Sequence, residues 1–323
     1  MNRPRLRTAR KHWIARDLPG VWYGVYHRAL GAILLIAFAP LLPHTSQLFG
    51  VSGLFDTALL RLHPHGAGIS IYDVTILLER HVGLPPDATV YTLSVCYLTS
   101  CFALAVSWQT QRAAAVLMSL HYLFFIAVPV YSYGFDYLCL SALFYCALYH
   151  TRRATLILRL LQLHLCVVYL FGGLNKIIGS TWHNGEALWK AVQQPIGGPL
   201  IHVTEWLPLP WLWATLGWGV VVAELSYAML IWWRPVRPWI LGFIVLMHTG
   251  IALVLGLYAF SALMILLNLT AFYYPYLNES SCQPLAVTVQ AAVHAGEVVH
   301  NEGGTPKQKT SSTTTGVSPA KPP

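Results

Sequence analysis

Long apolar runs fill most of this chain and constrain its fold more than any other feature. A membrane span needs about 20 apolar residues, and runs of roughly that length occur at 22–43, 90–108, 113–131, 137–150, 156–177, 211–233 and 239–274. The last run is too long for one span, and Gly256-Leu257-Tyr258-Ala259 near its middle predicts a tight hairpin. The sequence therefore predicts an all-α integral membrane protein, a bundle of about eight transmembrane helices.

Composition agrees with this class. The chain has 323 residues, of which 56% are hydrophobic and 10% charged, whereas a soluble domain carries about 25% charged residues. A multi-pass protein of the cell membrane, surrounded by membrane lipid, is predicted. The first apolar run is too long for a removed signal peptide and lacks a small-residue cleavage site, so it is expected to stay as an anchor.

The basic residues indicate an orientation rather than a nucleic-acid partner. Residues 1–20 form a basic cytoplasmic leader with six cations: Arg3, Arg5, Arg7, Arg10, Lys11 and Arg16. The loops at 109–112, 151–153 and 234–237 each contain arginine. Positive loops stay in the cytoplasm, so both termini are predicted to be cytoplasmic.

The predicted domains follow from these boundaries. Residues 21–276 form one multispan membrane domain, 277–303 a mildly apolar segment that suits an interfacial helix, and 304–323 a disordered tail rich in Thr, Ser, Pro and Lys. The six cysteines contain no CxxC pair, so neither a cysteine metal site nor a disulfide framework is expected.

Several polar residues fall inside the spans, where ionisable groups normally face the protein interior and mark function. Lys176 has two interpretations. It lies near the interface and extends its charge into water, or it is a partly desolvated amine that acts as a base. Arg28, near the inner end of the first span, is predicted to be structural and capped by backbone carbonyls or an acid. The others of interest are Asp136, Gln162, His164, Glu224 and His248.

Two further patterns leave alternatives open. A metal site built from His164, His248 and Glu224 has no supporting spacing, so no metal is predicted. The segment 179–189 is turn-rich and then amphipathic, which also suits an interfacial helix with tryptophans at the headgroups.

The run LQLHLCVVYLFGGLNKIIGSTWHNGEAL at 161–188 resembles the signature of the horizontally transferred transmembrane (HTTM) domain family. That family includes the membrane part of vitamin K-dependent gamma-carboxylase. The matching features are a glutamine-containing span, Gly173-x-x-Lys176 and Trp182-x-x-Gly185. Weaker likenesses are Arg28 with Gly31, YGFDYL at 133–138, and LMHTGIALVLGLYAF at 246–260.

The resemblance implies a function. The carboxylase lysine at the position of Lys176 deprotonates reduced vitamin K, so a reduced quinone is the implied cofactor. The size and short tail are similar to bacterial members like sporulation-delaying protein B, which implies a bacterial inner-membrane location. The partners that the resemblance implies for this chain are a small secreted antimicrobial peptide precursor and other maturation proteins.

Two hypotheses result. In the first, the chain is a membrane enzyme or maturation factor in which Lys176 is the catalytic amine and His248 and Asp136 assist. The pocket would then include Gln162, His164, Gly173, Trp182 and Glu224. A base must be neutral part of the time, so this hypothesis requires an apolar cavity with histidine or amide neighbours rather than a close carboxylate. In the second, the chain is a non-catalytic membrane partner, chaperone or immunity protein.

Overall fold

A computed structural model describes residues 21–51, 53–54, 69–126, 128, 130–193, 198–203 and 209–276. The predicted leader and both predicted tail segments lie outside these ranges. The described residues contain helices and no β-strand, which confirms the all-α class for them. The twelve α-helices among them are α1 Val21–Phe38, α2 Thr45–Phe49, α3 Ile71–Val82, α4 Pro86–Ala105, α5 Thr110–His121, α6 Gly134–Leu148, α7 Ala154–Ile178, α8 Ser180–His183, α9 Glu186–Gln193, α10 Pro210–Leu230, α11 Arg237–Leu255 and α12 Tyr258–Phe272.

Five helical stretches in the described part of the chain are long and apolar enough to cross a bilayer. They are Trp22–Phe49, Pro86–Ala105, Thr151–Ile178, Pro210–Leu230 and Arg237–Leu255. Large apolar side chains such as Phe102, Met229 and Leu246 are exposed on three of them. A water-soluble monomer rarely exposes so many, so these faces suit contact with lipid.

The other three predicted spans correspond to shorter helices. α6 and α12 are apolar but have 15 residues each. α5 has 12 residues and continues as a π-helix at Tyr122–Ile126, a local widening of the helix that often occurs at functional sites. The helix at the predicted third span thus begins earlier than residue 113 and ends before residue 131.

Glycine ends α11 where the sequence predicts a break. Gly256 has a φ of 71°, in the left-handed region, and α12 begins at Tyr258. Glycine adopts this conformation without a Cβ penalty. α11 and α12 then pack against each other, which confirms the predicted hairpin.

Glycine also controls how α1 meets α4. A Cβ on Gly31 would lie 2.6 Å from the Ala105 amide nitrogen and 2.8 Å from the Cys101 carbonyl oxygen. Only a residue without a side chain allows this approach. The close contact explains physically why a glycine follows Arg28 by three residues.

Three chain segments meet at one end of the bundle. Tyr23 of α1 stacks on Tyr149, with ring centroids 3.4 Å apart. The Gln111 side chain, at the start of α5, donates to the Tyr149 carbonyl oxygen. The start of α1, the α4–α5 connection and the α6–α7 connection therefore lie together.

Candidate functional site

Polar and small residues follow one face of α7, the helix that packs against α10 and α12. Gln162, Tyr169, Gly173 and Lys176 are separated by seven, four and three residues. This spacing places them on one side of an α-helix. Gln162, Tyr169 and Gly173 are buried. Gln162 and Gly173, which the sequence predicts as site residues, thus face neighbouring helices, and so does Tyr169.

Lys176 forms an ion pair with Glu224 of α10. Its Nζ atom donates to Oε2 over 2.7 Å, and the two side chains are 22% and 10% exposed. Nζ also lies 5.2 Å from the centroid of the Trp182 ring, and an aromatic face attracts a cation. The predicted environment of the base was therefore wrong, because the amine has a close carboxylate partner instead of histidine or amide neighbours.

Two glycines allow this carboxylate to approach α7. A Cβ on Gly172 would lie 3.2 Å from Glu224 Oε2. A Cβ on Gly173 would lie 2.8 Å from Leu225 Cγ and 3.0 Å from the Leu225 amide nitrogen. The backbones of α7 and α10 come close at this point, as small residues permit in membrane helices. The ion pair is a consequence of that approach.

The Trp182-x-x-Gly185 motif holds the tryptophan in place. Gly185 has a φ of 82°, and a Cβ there would lie 2.4 Å from the Ala214 amide nitrogen. A Cβ on Gly217 would lie 2.9 Å from the Trp182 carbonyl oxygen. The loop after α8 therefore fits directly against the backbone of α10, with the Trp182 ring beside Lys176.

We expect Gly173→Ala to lower the free energy of unfolding by about 1–3 kcal/mol, because the added methyl overlaps Leu225 and pushes α10 away. Gly219→Ala is the matched control: it lies in α10, and a Cβ there has nothing within 4 Å. Alanine favours a helix over glycine by about 1 kcal/mol, so the control should be neutral or more stable. Thermal unfolding in detergent measures both. Equal melting temperatures for the two variants would contradict the close approach.

A buried hydrogen-bonded network lies behind the ion pair. Asn268 Nδ2 donates to the Tyr169 hydroxyl over 2.8 Å, and the Tyr227 hydroxyl donates to Asn268 Oδ1 over 2.7 Å. The Tyr169 hydroxyl lies 3.1 Å from His248 Nε2, while His248 Nδ1 is buried without a hydrogen-bond partner among the described residues. The structure thus links His248 to Tyr169, which lies on the same face of α7 as Lys176. Tyr169, Tyr227 and Asn268 are residues that sequence reasoning did not include in the site.

Asp136 belongs to a different cluster. Its Oδ1 atom lies 3.5 Å from His121 Nε2, and the Tyr97 hydroxyl lies 2.9 Å from His121 Nδ1. Oδ2 accepts the Tyr133 backbone N–H over 2.9 Å and so caps the start of α6. The carboxylate beside Lys176 is Glu224, not Asp136, so the proposed set of Lys176, His248 and Asp136 is not assembled around one point.

The predicted pocket residues Gln162 and His164 make other contacts. Gln162 Oε1 accepts from Arg159 Nη1 over 2.8 Å, and its Nε2 donates to the Ala271 carbonyl oxygen over 2.6 Å. His164 Nδ1 lies 3.0 Å from the Tyr145 hydroxyl. Both His164 and Tyr145 line an open, mostly apolar cavity of about 810 Å³ beside α5, α6 and α7.

Arg28 has a partner that the sequence does not suggest. Its Nε donates to the Ser107 hydroxyl over 2.8 Å, and His27 Nε2 lies 2.9 Å from the same oxygen. Ser107 has a φ of 66°, an unusual conformation for a residue with a side chain. The predicted carbonyl or acid cap was wrong for Nε, which holds the α4–α5 turn instead.

Among the described residues, Lys176 belongs to no metal-ligand group and lines neither of the two larger cavities. Within the described ranges, no three His, Cys, Asp or Glu side chains are grouped so that they could hold a metal ion, which leaves the His164, His248 and Glu224 alternative without support. Lys176 Nζ faces the Glu224 carboxylate and the Trp182 indole, and its side chain is 22% exposed. The cavities of about 810 and 200 Å³ are lined by other residues.

No protein-family model, curated protein or solved structure matches this chain. The geometry of the Lys176–Glu224 pair and the resemblance of its surrounding motif are therefore the grounds on which a function is assigned.

Proposed function

We propose that this chain is a membrane-embedded enzyme or maturation factor of the HTTM type that acts on a small secreted antimicrobial peptide, with Lys176 and Glu224 as its proton-transferring pair. The observation that carries the proposal is the ion pair itself. Charged groups in a membrane span are expensive and mark function by default. Here both charges meet beside Gly172, and the Trp182 ring of the motif lies next to Lys176.

A lone Lys176 base does not fit a site with a close carboxylate, so the proposed base is the Lys176–Glu224 pair, in which the proton moves from one partner to the other. In the resting arrangement the ammonium donates to Glu224 Oε2. Two ions in a low-dielectric site cost several kcal/mol each, so exclusion of water by a bound apolar substrate favours the neutral pair. The proton then resides on Glu224, and Lys176 is left as a free amine that takes a proton from an acidic group of the substrate.

The network behind the pair has a positioning role in this scheme. Tyr169 lies two helical turns before Lys176 on the same face of α7, and its hydroxyl links His248 to Asn268. Hydrogen bonds between side chains of different helices help to hold those helices in one arrangement. Since its members come from α7, α10, α11 and α12, it keeps Glu224 opposite Lys176. No step in this scheme is assigned to a quinone.

A second candidate is a non-catalytic membrane partner, chaperone or immunity protein. The observation that favours it is the short distance between Lys176 and Glu224, which suits a permanent structural ion pair. Lys176→Arg separates the two candidates. Arginine keeps the ion pair but does not release its proton, so only the proton-transfer account expects loss of peptide maturation.

We propose eight spans, both termini in the cytoplasm and a bacterial inner-membrane location. α6 and α12 are short for this role: 15 residues at about 1.5 Å each give roughly 22 Å, against about 30 Å of hydrocarbon. Local thinning of the bilayer accommodates such helices at modest cost. The meeting of the α1 start with the α4–α5 and α6–α7 connections supports the scheme, since it groups arginine-containing loops at one end.

Cysteine labelling tests this topology. Single cysteines introduced at Gln111 and Pro235 should be protected from a membrane-impermeant maleimide in intact cells and labelled after permeabilisation. A cysteine at His183 should be labelled in intact cells, because the α8–α9 region is expected outside. Labelling of the Pro235 position in intact cells would contradict the scheme after the fifth span.

A further inference from the structure

A small pocket lies beside α9, away from the Lys176 amine. It has a volume of about 200 Å³, several times the roughly 30 Å³ share of one water molecule. It opens between the loop after α8 and the first turn of α10. Its lining residues are Asn184, Gly185, Glu186, Trp189, Pro210 and Trp213.

Two tryptophans form the apolar wall of this pocket. The Trp189 and Trp213 ring centroids lie 5.6 Å apart, with the ring planes inclined by 59°. Trp213 is buried, whereas Trp189 is partly exposed. Among aromatic side chains, tryptophan attracts a cation most strongly. The wall therefore favours a cation with apolar substituents over an uncharged group of the same shape.

A carboxylate completes the pocket. Glu186 is 47% exposed, and its Oε2 atom lies 3.3 Å from Lys190 Nζ. Lys190 is 67% exposed, and an exposed pair one helical turn apart is worth little. The carboxylate thus already accepts one alkylammonium group, from Lys190, and can exchange it for another at little cost.

The loop that carries the carboxylate is fixed before any ligand binds. Gly185 has a φ of 82° and lies against the backbone of Ala214. Asn184 Oδ1 accepts the Glu186 backbone N–H over 3.0 Å. A preformed site loses less conformational entropy on binding than a flexible one. The loop around the pocket therefore needs little reordering when a ligand binds.

We propose that the pocket formed by Trp189, Trp213 and Glu186 binds an alkylammonium group. The rings contact the apolar substituents of the cation, and the carboxylate neutralises its charge. Free choline-like molecules, choline lipid headgroups and lysine side chains of peptides share this chemistry. The site is independent of the proton-transferring pair, so either proposal can fail alone.

Choline and its uncharged isostere 3,3-dimethylbutan-1-ol test the charge requirement. The full-length protein is purified in dodecyl maltoside, and each compound is titrated by isothermal calorimetry. Choline should bind saturably, and the alcohol should bind at least about tenfold more weakly, since it lacks the cation–π and carboxylate attraction. Equal affinity for both compounds would overturn the proposal.

Variants of the pocket provide the second test. Trp189→Leu and Glu186→Gln should each weaken choline binding by roughly tenfold, whereas Lys190→Gln should strengthen it by removing the competing ammonium. Unchanged melting temperatures show that each variant folds. Wild-type choline affinity in both folded Trp189→Leu and Glu186→Gln would overturn the proposal.

Competition then identifies the source of the cation. If phosphatidylcholine in nanodiscs displaces choline, the natural ligand is a lipid headgroup. If Nα-acetyl-lysine amide displaces choline, the natural ligand is a lysine side chain of a peptide. If neither compound displaces choline, the natural ligand is a free small molecule. Each result supports an alkylammonium site and selects one source.

Discussion

Replacing one member of the Lys176–Glu224 pair is expected to lower the free energy of unfolding by up to about 3–5 kcal/mol, because the other charge is left largely shielded from water without its ionic partner. Lys176→Met and Glu224→Met are the single variants. Methionine adapts its shape to the space that either side chain occupies. In the double variant no charge remains, so most of the lost stability should return. Thermal and denaturant unfolding in detergent measure all four proteins of this cycle.

The exposed Glu186–Lys190 pair is a matched control for the same cycle. It joins the same two residue types over 3.3 Å, with side chains 47% and 67% exposed. Such a pair contributes about 0.5 kcal/mol or less. If the Lys176 and Glu224 variants lose no more stability than the Glu186 and Lys190 variants, the buried ion pair is not present in the membrane protein.

This result decides how Lys176 can be tested for function. Lys176→Met removes the amine but also leaves the Glu224 carboxylate unpaired in a side chain that is 10% exposed. Lost activity in that variant would have two explanations. A functional test therefore needs a residue that keeps the charge at position 176.

The sequence predicts the helices well because apolar length is a direct requirement of the bilayer. Runs of about 20 apolar residues identify spans, and Gly256 marks the break between α11 and α12 through its left-handed conformation. The length of each helix is harder to predict from the sequence. The change from α-helix to π-helix at Tyr122 depends on packing against neighbouring helices, which hydropathy does not describe.

The ion pair illustrates what sequence can and cannot give. The sequence identifies Lys176 and Glu224 as charges within the spans, and Gly173 as part of the motif that contains the lysine. The partner helix was not evident, because 48 residues separate the two charges and only the packing of α7 on α10 joins them. Tyr169 was missed because a tyrosine in a span is typical of the interface, although its distance of seven residues from Lys176 places both on one face.

Asp136 shows how a resemblance can obscure a local signal. The family likeness suggested a role beside Lys176. Asp136 follows Tyr133 by three residues at the start of an apolar helix, which is the position of an acidic residue in a capping box. The structure has this cap, and it pairs Asp136 with His121, whose contribution the sequence did not indicate.

Lys176→Arg tests the central claim most directly. Arginine retains the ion pair with Glu224 and the attraction to the Trp182 ring, so membrane levels and melting temperature should stay near those of the wild type. Its guanidinium does not release a proton in proteins, so a base at this position is removed. Loss of a general base typically reduces a rate by roughly 100-fold to 10,000-fold.

The measurement is mass spectrometry of the secreted peptides from a deletion strain that carries the wild type, Lys176→Arg or the control Lys190→Arg at matched membrane levels. The proton-transfer account predicts that the mature peptide is restored by the wild type and the control and reduced at least about 100-fold with Lys176→Arg. Mature peptide at wild-type amounts with a stable Lys176→Arg protein would contradict it and assign the pair a structural role.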